Sequence, residues 1–104
     1  MKPLTLDEIM ALSDDALAAA VAKRVMGPVC KCAAFCPHID WNDAMRVFRR
    51  LLELGWSPSY GWCARDWQCV AIKIGPGSHV ITAHADNGRV AICRAALLAV
   101  EGGA

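Results

Sequence analysis

The segment RVAICRAALLAV, residues 89–100, is apolar nearly all the way round a helix, with Arg89 and Arg94 its only charges. A helix without a polar face is buried on more than one side. Other elements must therefore flank it. The tract is too short to span a bilayer, which takes ~20 apolar residues, so those neighbours are protein. Ala91, Ala95, Ala96 and Ala99 allow a second helix to approach closely. The segment is expected to form a helix over about 88–100, starting near Asp86 or Asn87.

The preceding chain supplies what must cover it. Thr5 and Glu8 in TLDE form a capping box, which predicts a short helix to about Leu12. Ser13 caps a second helix, with Asp14 and Asp15 in its positive first turn. Leu17, Val21 and Val25 form its apolar stripe, and Gly27 and Pro28 stop it. Asp40 opens a third helix, DWNDAMRVFRRLLELG. Trp41, Ala44, Met45, Phe48, Leu51 and Leu52 are expected on one face, and Arg46, Arg49, Arg50 and Glu53 on the other. From Trp56 the period changes to two. Strands are expected over about 56–62, 67–74 and 78–84, with a tight turn at Gly75–Gly77. Pro58 argues that the first strand lies at an edge. On the second strand, Val70, Ile72 and Ile74 face one side and Trp67, Cys69 and Ala71 the other. Both faces are largely apolar, so helices are expected over both.

A chain of 104 residues is one domain, residues 1–104, with a single modest core. Its apolar fraction of 56% lies above the usual 45–50%, so it folds rather than remaining disordered. The fold class is then α/β (α+β): a small three-stranded antiparallel sheet sandwiched between helices, in the order α-α-α-β-β-β-α. A formal charge of +1 gives no large field and disfavours duplex nucleic acid as the default partner. The N-terminal MKPLTLDEIM carries acids where a signal peptide needs an apolar run. A cytoplasmic location, in the host cell, is expected, with the six cysteines as thiols. No membrane partner is expected.

Three segments, ALAAAVAKRVMG, FCPHIDWNDAMRVFRRLLELGW and VAICRAALLAV, resemble in order and spacing the phage ABA-sandwich family of small tailed-phage and prophage proteins. The resemblance covers about residues 13–100. It rests on the VMG helix end, the Pro-x-x-Asp helix start, the Gly-Trp exit and the C-terminal AIC-AAL helix. It implies an α/β/α sandwich and carries no established activity. Where the family has small polar residues in the Pro-x-x-Asp segment, this chain has Cys36 and His38, so the cysteine cluster is a departure rather than a family site.

That cluster, VCKCAAFCPHIDW, holds four good zinc ligands, Cys30, Cys32, Cys36 and His38, within nine residues. Tetrahedral sulfurs lie only ~3.8 Å apart around zinc with Zn–S bonds of ~2.3 Å. Alternate residues of a strand lie ~6.5–7 Å apart, so the loop would have to bend at Lys31. Pro37 pushes Cys36 towards an extended conformation, and the usual C-x2-C spacing is missing. The plainer reading is a loop of reduced thiols. Cys36 and His38 are near neighbours, but catalysis needs a base at hydrogen-bond distance and a group to orient it. Spacing alone provides neither, so no catalytic residue and no enzyme activity is assigned.

The order helix–strand–strand–strand–helix and the loop GPGSH are similar to double-stranded-RNA-binding domains. Here, however, that loop joins the second and third strands, and the last helix lacks a lysine cluster. Arg46, Arg49 and Arg50 remain a basic patch for nucleic acid. SYGWCARDW instead brings Tyr60, Trp62, Arg65 and Trp67 together, residue types enriched at binding hot spots. Trp56 and Trp67 read as core, whereas Trp62, beside the turn, is the candidate contact. His79 and His84 are five apart on one strand and so face opposite sides.

The expected function is non-catalytic: a phage or prophage accessory protein that binds a host or phage protein, with inhibition of a host defence of the anti-CRISPR type as its concrete form. The partner-binding residues are Tyr60, Trp62 and Arg65, with Arg46, Arg49 and Arg50 as the rival set. The alternatives are a zinc-stabilised nucleic-acid or protein adaptor and a protein that sequesters a small signalling molecule. A second copy of the chain is a further candidate partner. No cofactor is expected beyond the zinc of that alternative.

Overall fold

The computed structural model describes residues 4–27, 40–63, 65–73 and 79–101. Helix α1 (Leu6–Ala11) begins with the capping box: the Glu8 amide donates to Thr5 Oγ1 at 3.2 Å, and the Thr5 amide donates to Glu8 Oε1 at 3.1 Å. Helix α2 (Asp14–Val21) starts at Ser13, whose hydroxyl accepts from the Ala16 amide at 3.2 Å. The chain then widens into a π-helical turn, Ala22–Met26, where a uniform α-helix was expected to reach Gly27. Gly27, at φ 68°, ends it in the left-handed region that glycine enters without a Cβ penalty. Leu17, Val21 and Val25 are buried as one stripe through both segments.

Asp40 caps α3 (Trp41–Glu53) by accepting from the Asn42 amide at 2.8 Å. Its buried stripe is Asp43, Ala44, Val47 and Leu51. The stripe expected from the sequence is corrected here: Leu52 stands 52% exposed and Trp41 38% exposed. Two apolar rows run side by side on α3. The helix turns the Ala44–Val47–Leu51 row inwards, and Met45 and Phe48 flank it half-buried.

Strands β1 (Trp56–Cys63), β2 (Asp66–Lys73) and β3 (His79–Ala85) form an antiparallel sheet in the order β1-β2-β3. Pro58 thus lies on an edge strand, as its missing N–H requires. The register pairs Trp62 with Trp67 and Trp67 with Ala85. One face of the sheet therefore carries Trp56, Tyr60, Trp62, Trp67, Cys69, Ala71, Ala83 and Ala85. The other carries Ser57, Ser59, Gln68, Val70, Ile72, Val80, Thr82 and His84. His79 and His84 fall on opposite faces.

Helix α4 (Gly88–Glu101) follows a cap in which Asn87 Oδ1 accepts from the Val90 amide at 2.9 Å. It packs on all three strands and also on α1, α2, the π turn and α3. The sheet residues beneath it are mostly small (Cys69, Ala71, Ala83, Ala85), as are its own Ala91, Ala95 and Ala96, so helix and sheet meet closely. Ile92 and Leu97 are fully buried, each stabilising by ~1.5–3 kcal/mol. An ion pair between Arg24 and Glu101 ties the π turn to the end of α4.

The α+β class, the element order and the three-stranded antiparallel sheet agree with the sequence reading. The covering of the sheet differs. α4 and α3 both lie on the Trp67–Cys69–Ala71 face, and α4 is the layer flanked on two sides. Among the described residues the opposite face stays open, with Ile72 41% and Val80 66% exposed. Apolar composition on that face predicted a cover, but single exposed apolar side chains are ordinary in folded proteins. Among the described residues, no helix is long and apolar enough to cross a membrane.

Candidate functional site

At one end of the molecule the start of α3, the β1–β2 hairpin and the start of α4 converge. Five aromatic rings meet there. Tyr60 lies 5.6 Å from Trp41, 5.7 Å edge-on from Phe48 and 6.4 Å stacked against Trp67, measured between ring centroids. Trp67 also meets Trp41 at 6.4 Å and Trp62 at 6.2 Å, both edge-to-face. Contacts of this geometry contribute ~0.5–1.5 kcal/mol each beyond the area they bury. The Arg89 guanidinium sits over the Trp41 ring at 5.5 Å, a cation–π contact. The close approach depends on Gly88. A Cβ there would lie 2.8 Å from Trp41 and 3.0 Å from Trp67.

The cluster has a buried base and an open rim. Trp67 and Phe48 pack half-buried against the core. Trp41, Tyr60 and Trp62 are 38%, 42% and 60% exposed. Arg65 is exposed in the turn that follows β1, its amide donating to the Cys63 carbonyl. Trp56, at the other end of β1, is 3% exposed and belongs to the core. The hairpin residues Tyr60, Trp62 and Arg65 are thus together at the surface. Trp41 and Arg89 join them without having been expected there. Trp41 reads as part of the α3 apolar row, and only the tertiary fold brings Arg89 alongside it. The arrangement offers flat π faces, a phenolic hydroxyl and guanidinium groups on rigid elements, which is the chemistry of recognition by stacking and apolar contact.

The arginine face of α3 is less uniform. Arg46 Nη1 lies 3.3 Å from Asp43 Oδ1. Arg50 Nε donates to the Val25 carbonyl at 3.1 Å, serving an acceptor of the π turn, while its Nη1 lies 3.9 Å from Glu53. Arg49 is exposed. Arg50 is therefore a bridge between α3 and the π turn, and the three arginines do not share one role.

Cys30, Cys32, Cys36 and His38 lie outside the described residues. Among the described residues, no three His, Cys, Asp or Glu side chains gather as a metal site. Cys63, Cys69 and Cys93 are free thiols. Burial pushes Cys69 up to about 12; Cys93 is pushed to about 12 first by burial and then by the nearby Asp14 and Cys69. Both are inert as nucleophiles near neutral pH. On the open sheet face His84 Nδ1 lies 3.1 Å from Asp66, and Arg94 donates to the His84 carbonyl at 2.7 Å.

The chain matches no protein-family model, no curated protein and no solved structure.

Proposed function

We propose that this protein is a non-catalytic phage or prophage accessory protein that binds a host or phage protein through its aromatic end. Blocking a host defence complex, as anti-CRISPR proteins do, is its concrete form. The observation that carries the binding reading is the exposed rim of Trp41, Tyr60 and Trp62 on a ring cluster anchored in the core. Exposed tryptophan, tyrosine and arginine on a preorganised base lose little entropy on binding. The phage assignment rests on the resemblance of the three sequence segments. A near-neutral net charge favours a protein over duplex nucleic acid as the partner.

The test is recovery of a partner from host lysate, followed by titration of that purified partner. Trp62→Ala and Arg65→Ala should each weaken the complex at least ~30-fold, as a 2 kcal/mol hot spot implies. Arg49→Glu should leave it nearly unchanged. A complex that tolerates Trp62→Ala, is lost with Arg49→Glu and weakens steeply with salt would overturn this reading in favour of nucleic acid.

A further inference from the structure

Two observations fix which main-chain groups of β1 face away from the sheet. Arg94 donates to the His84 carbonyl at 2.7 Å, so that carbonyl points out of the β3 edge. Bonding in an antiparallel pair alternates residue by residue. His84 lies opposite Gln68, so Gln68 turns its main-chain groups the other way, towards its β1 partner Gly61. Gly61 thus bonds inwards, and Tyr60 and Trp62 bond outwards. Pro58, two residues before Tyr60, falls in the same outward set, where its missing N–H costs no ladder bond. Among the described residues no strand lies outside β1, and no group bonds the outward N–H or carbonyl of Tyr60 or Trp62. Between these two residues, on the other face of the sheet, Gly61 opens a hollow of about 230 Å³ walled by Ser59, Cys63, Gln68 and Val70. Its chain neighbours aside, no described heavy atom lies within 4 Å of where a Gly61 Cβ would sit.

We propose that the Tyr60–Trp62 edge takes an extended segment of the partner protein as a fourth, antiparallel strand. The inference rests on the binding reading above and specifies how that end binds. Residues of the segment opposite Tyr60 and Trp62 exchange both N–H···O bonds with them. Their side chains fall on the aromatic face, beside the Tyr60 and Trp62 rings, where large apolar groups suit. The residue between them falls opposite Gly61, with its side chain over the hollow. The Ser59 hydroxyl, the Gln68 amide and the Cys63 thiol, with Val70 beside them, fit a side chain with an apolar stem and an uncharged polar end. Glutamine between two large apolar residues is the matching motif. Strand addition of this kind draws affinity from main-chain bonds and specificity from side-chain pockets. Pro58 offers no N–H, so the paired stretch ends there.

A second copy is the poorer occupant. Two β1 edges meeting about a two-fold axis at Gly61 would set glycine against glycine and leave both hollows without contacts. A segment that carries a side chain at that place fills the hollow.

The probe is the capped peptide acetyl-Thr-Phe-Gln-Phe-Thr-amide, titrated to ~1 mM into the isotope-labelled full chain and read by heteronuclear NMR. The Tyr60 and Trp62 amide signals should move most, and that of Thr82, on the other edge, should stay. Methylating both Phe nitrogens removes the donors that the edge needs and should weaken binding at least ~10-fold. Exchanging the Gln of the probe for Gly should weaken it at least ~5-fold. Gly61→Val fills the hollow. It should keep the Tm, weaken the Gln probe at least ~5-fold and leave the Gly probe unaffected. If Gly61→Val disturbs folding, the methylated probe still decides, because it leaves the protein untouched. No binding by ~1 mM, equal binding of the methylated probe, or equal binding of the Gln probe by a folded Gly61→Val overturns the proposal. So does a wild type that dimerises in sedimentation and is dissociated by the probe, which would make a second copy the occupant. If the probe fails while a purified partner still loses ~30-fold with Trp62→Ala, the aromatic end binds without strand pairing: the binding reading stands and this inference falls.

Discussion

Gly88→Ala is the smallest change that should disturb the aromatic end. Gly88 has an ordinary helical-side φ, so the backbone accepts alanine and only the space around it matters. The new methyl would sit 2.8 Å from Trp41 Cη2, 3.0 Å from Trp67 Cε3 and 3.3 Å from Trp67 Cζ3. Carbon pairs rest at ~3.5–4.0 Å, so one or both rings must retreat by roughly 0.5–1 Å. Trp67 lies on the central strand, packed against the core, and resists. Trp41 is 38% exposed and gives way. Its retreat loosens the contacts with Tyr60 at 5.6 Å, Trp67 at 6.4 Å and Arg89 at 5.5 Å. Overpacking costs ~1–3 kcal/mol. Replacing glycine in a helix returns up to ~1 kcal/mol, and less in the first turn. The net cost is about 1–2 kcal/mol, or a fall in Tm of roughly 5–15 °C for a domain of this size. Urea unfolding measures the free energy, and near-UV circular dichroism reads the tryptophan environment. In a Trp41→Ala background the clash with Trp41 is gone, so Gly88→Ala should cost distinctly less there. Equal stability of Gly88→Ala and wild type, with an unchanged near-UV spectrum, would refute the packing of these rings on the start of α4.

Leu51→Ala should cost ~2–5 kcal/mol in urea unfolding because Leu51 is fully buried, while Leu52→Ala, at a 52% exposed position, should cost a small fraction of that; equal costs would mean that α3 is rotated. Arg50→Met keeps much of the aliphatic stem but leaves the Val25 carbonyl without its 3.1 Å donor, and should lower stability by ~1–2 kcal/mol in the same assay. A brief pulse of iodoacetamide at pH 8, read by peptide mass spectrometry, should label Cys63 in the native protein and Cys69 and Cys93 only after denaturant is added. For those two buried thiols the folded state holds its proton to a higher pH than the unfolded state. Their contribution to stability is therefore full below the ordinary thiol value and is lost as pH rises from about 9 towards about 12, which alkaline unfolding should show.

The sequence made the elements legible wherever local chemistry sets them. Thr5, Ser13 and Asp40 cap helices as their side chains suggest, Gly27 stops the second helical segment, and Pro58 marks an edge. The all-round apolar last helix announced its own burial. Non-local facts were harder to read. On α3 two neighbouring apolar rows compete, and the buried Asp43, near Arg46 at 3.3 Å, disguises the inner one as polar. Val70 and Ile72 look as apolar as Cys69 and Ala71, yet among the described residues only the latter pair meets a helix. At the candidate site, Tyr60, Trp62 and Arg65 were readable because they are close in sequence. Trp41 and Arg89 were not, because they arrive from two other elements.

The central place of α4 also bears on how the chain is made. It is the last described element to leave the ribosome, yet the sheet, α1, α2, the π turn and α3 all rest on it. Until it emerges, Cys69, Ala71, Ala83 and Ala85 on the sheet and Leu17 and Val21 on α2 lack the surface that shelters them. Synthesis of its 14 residues takes about 1–3 s at 5–20 residues per second. For that interval the nascent polypeptide is an unfinished shell around a missing axle. Vectorial synthesis thus leaves this core unable to close in steps: its faces meet their common partner only once α4 has emerged.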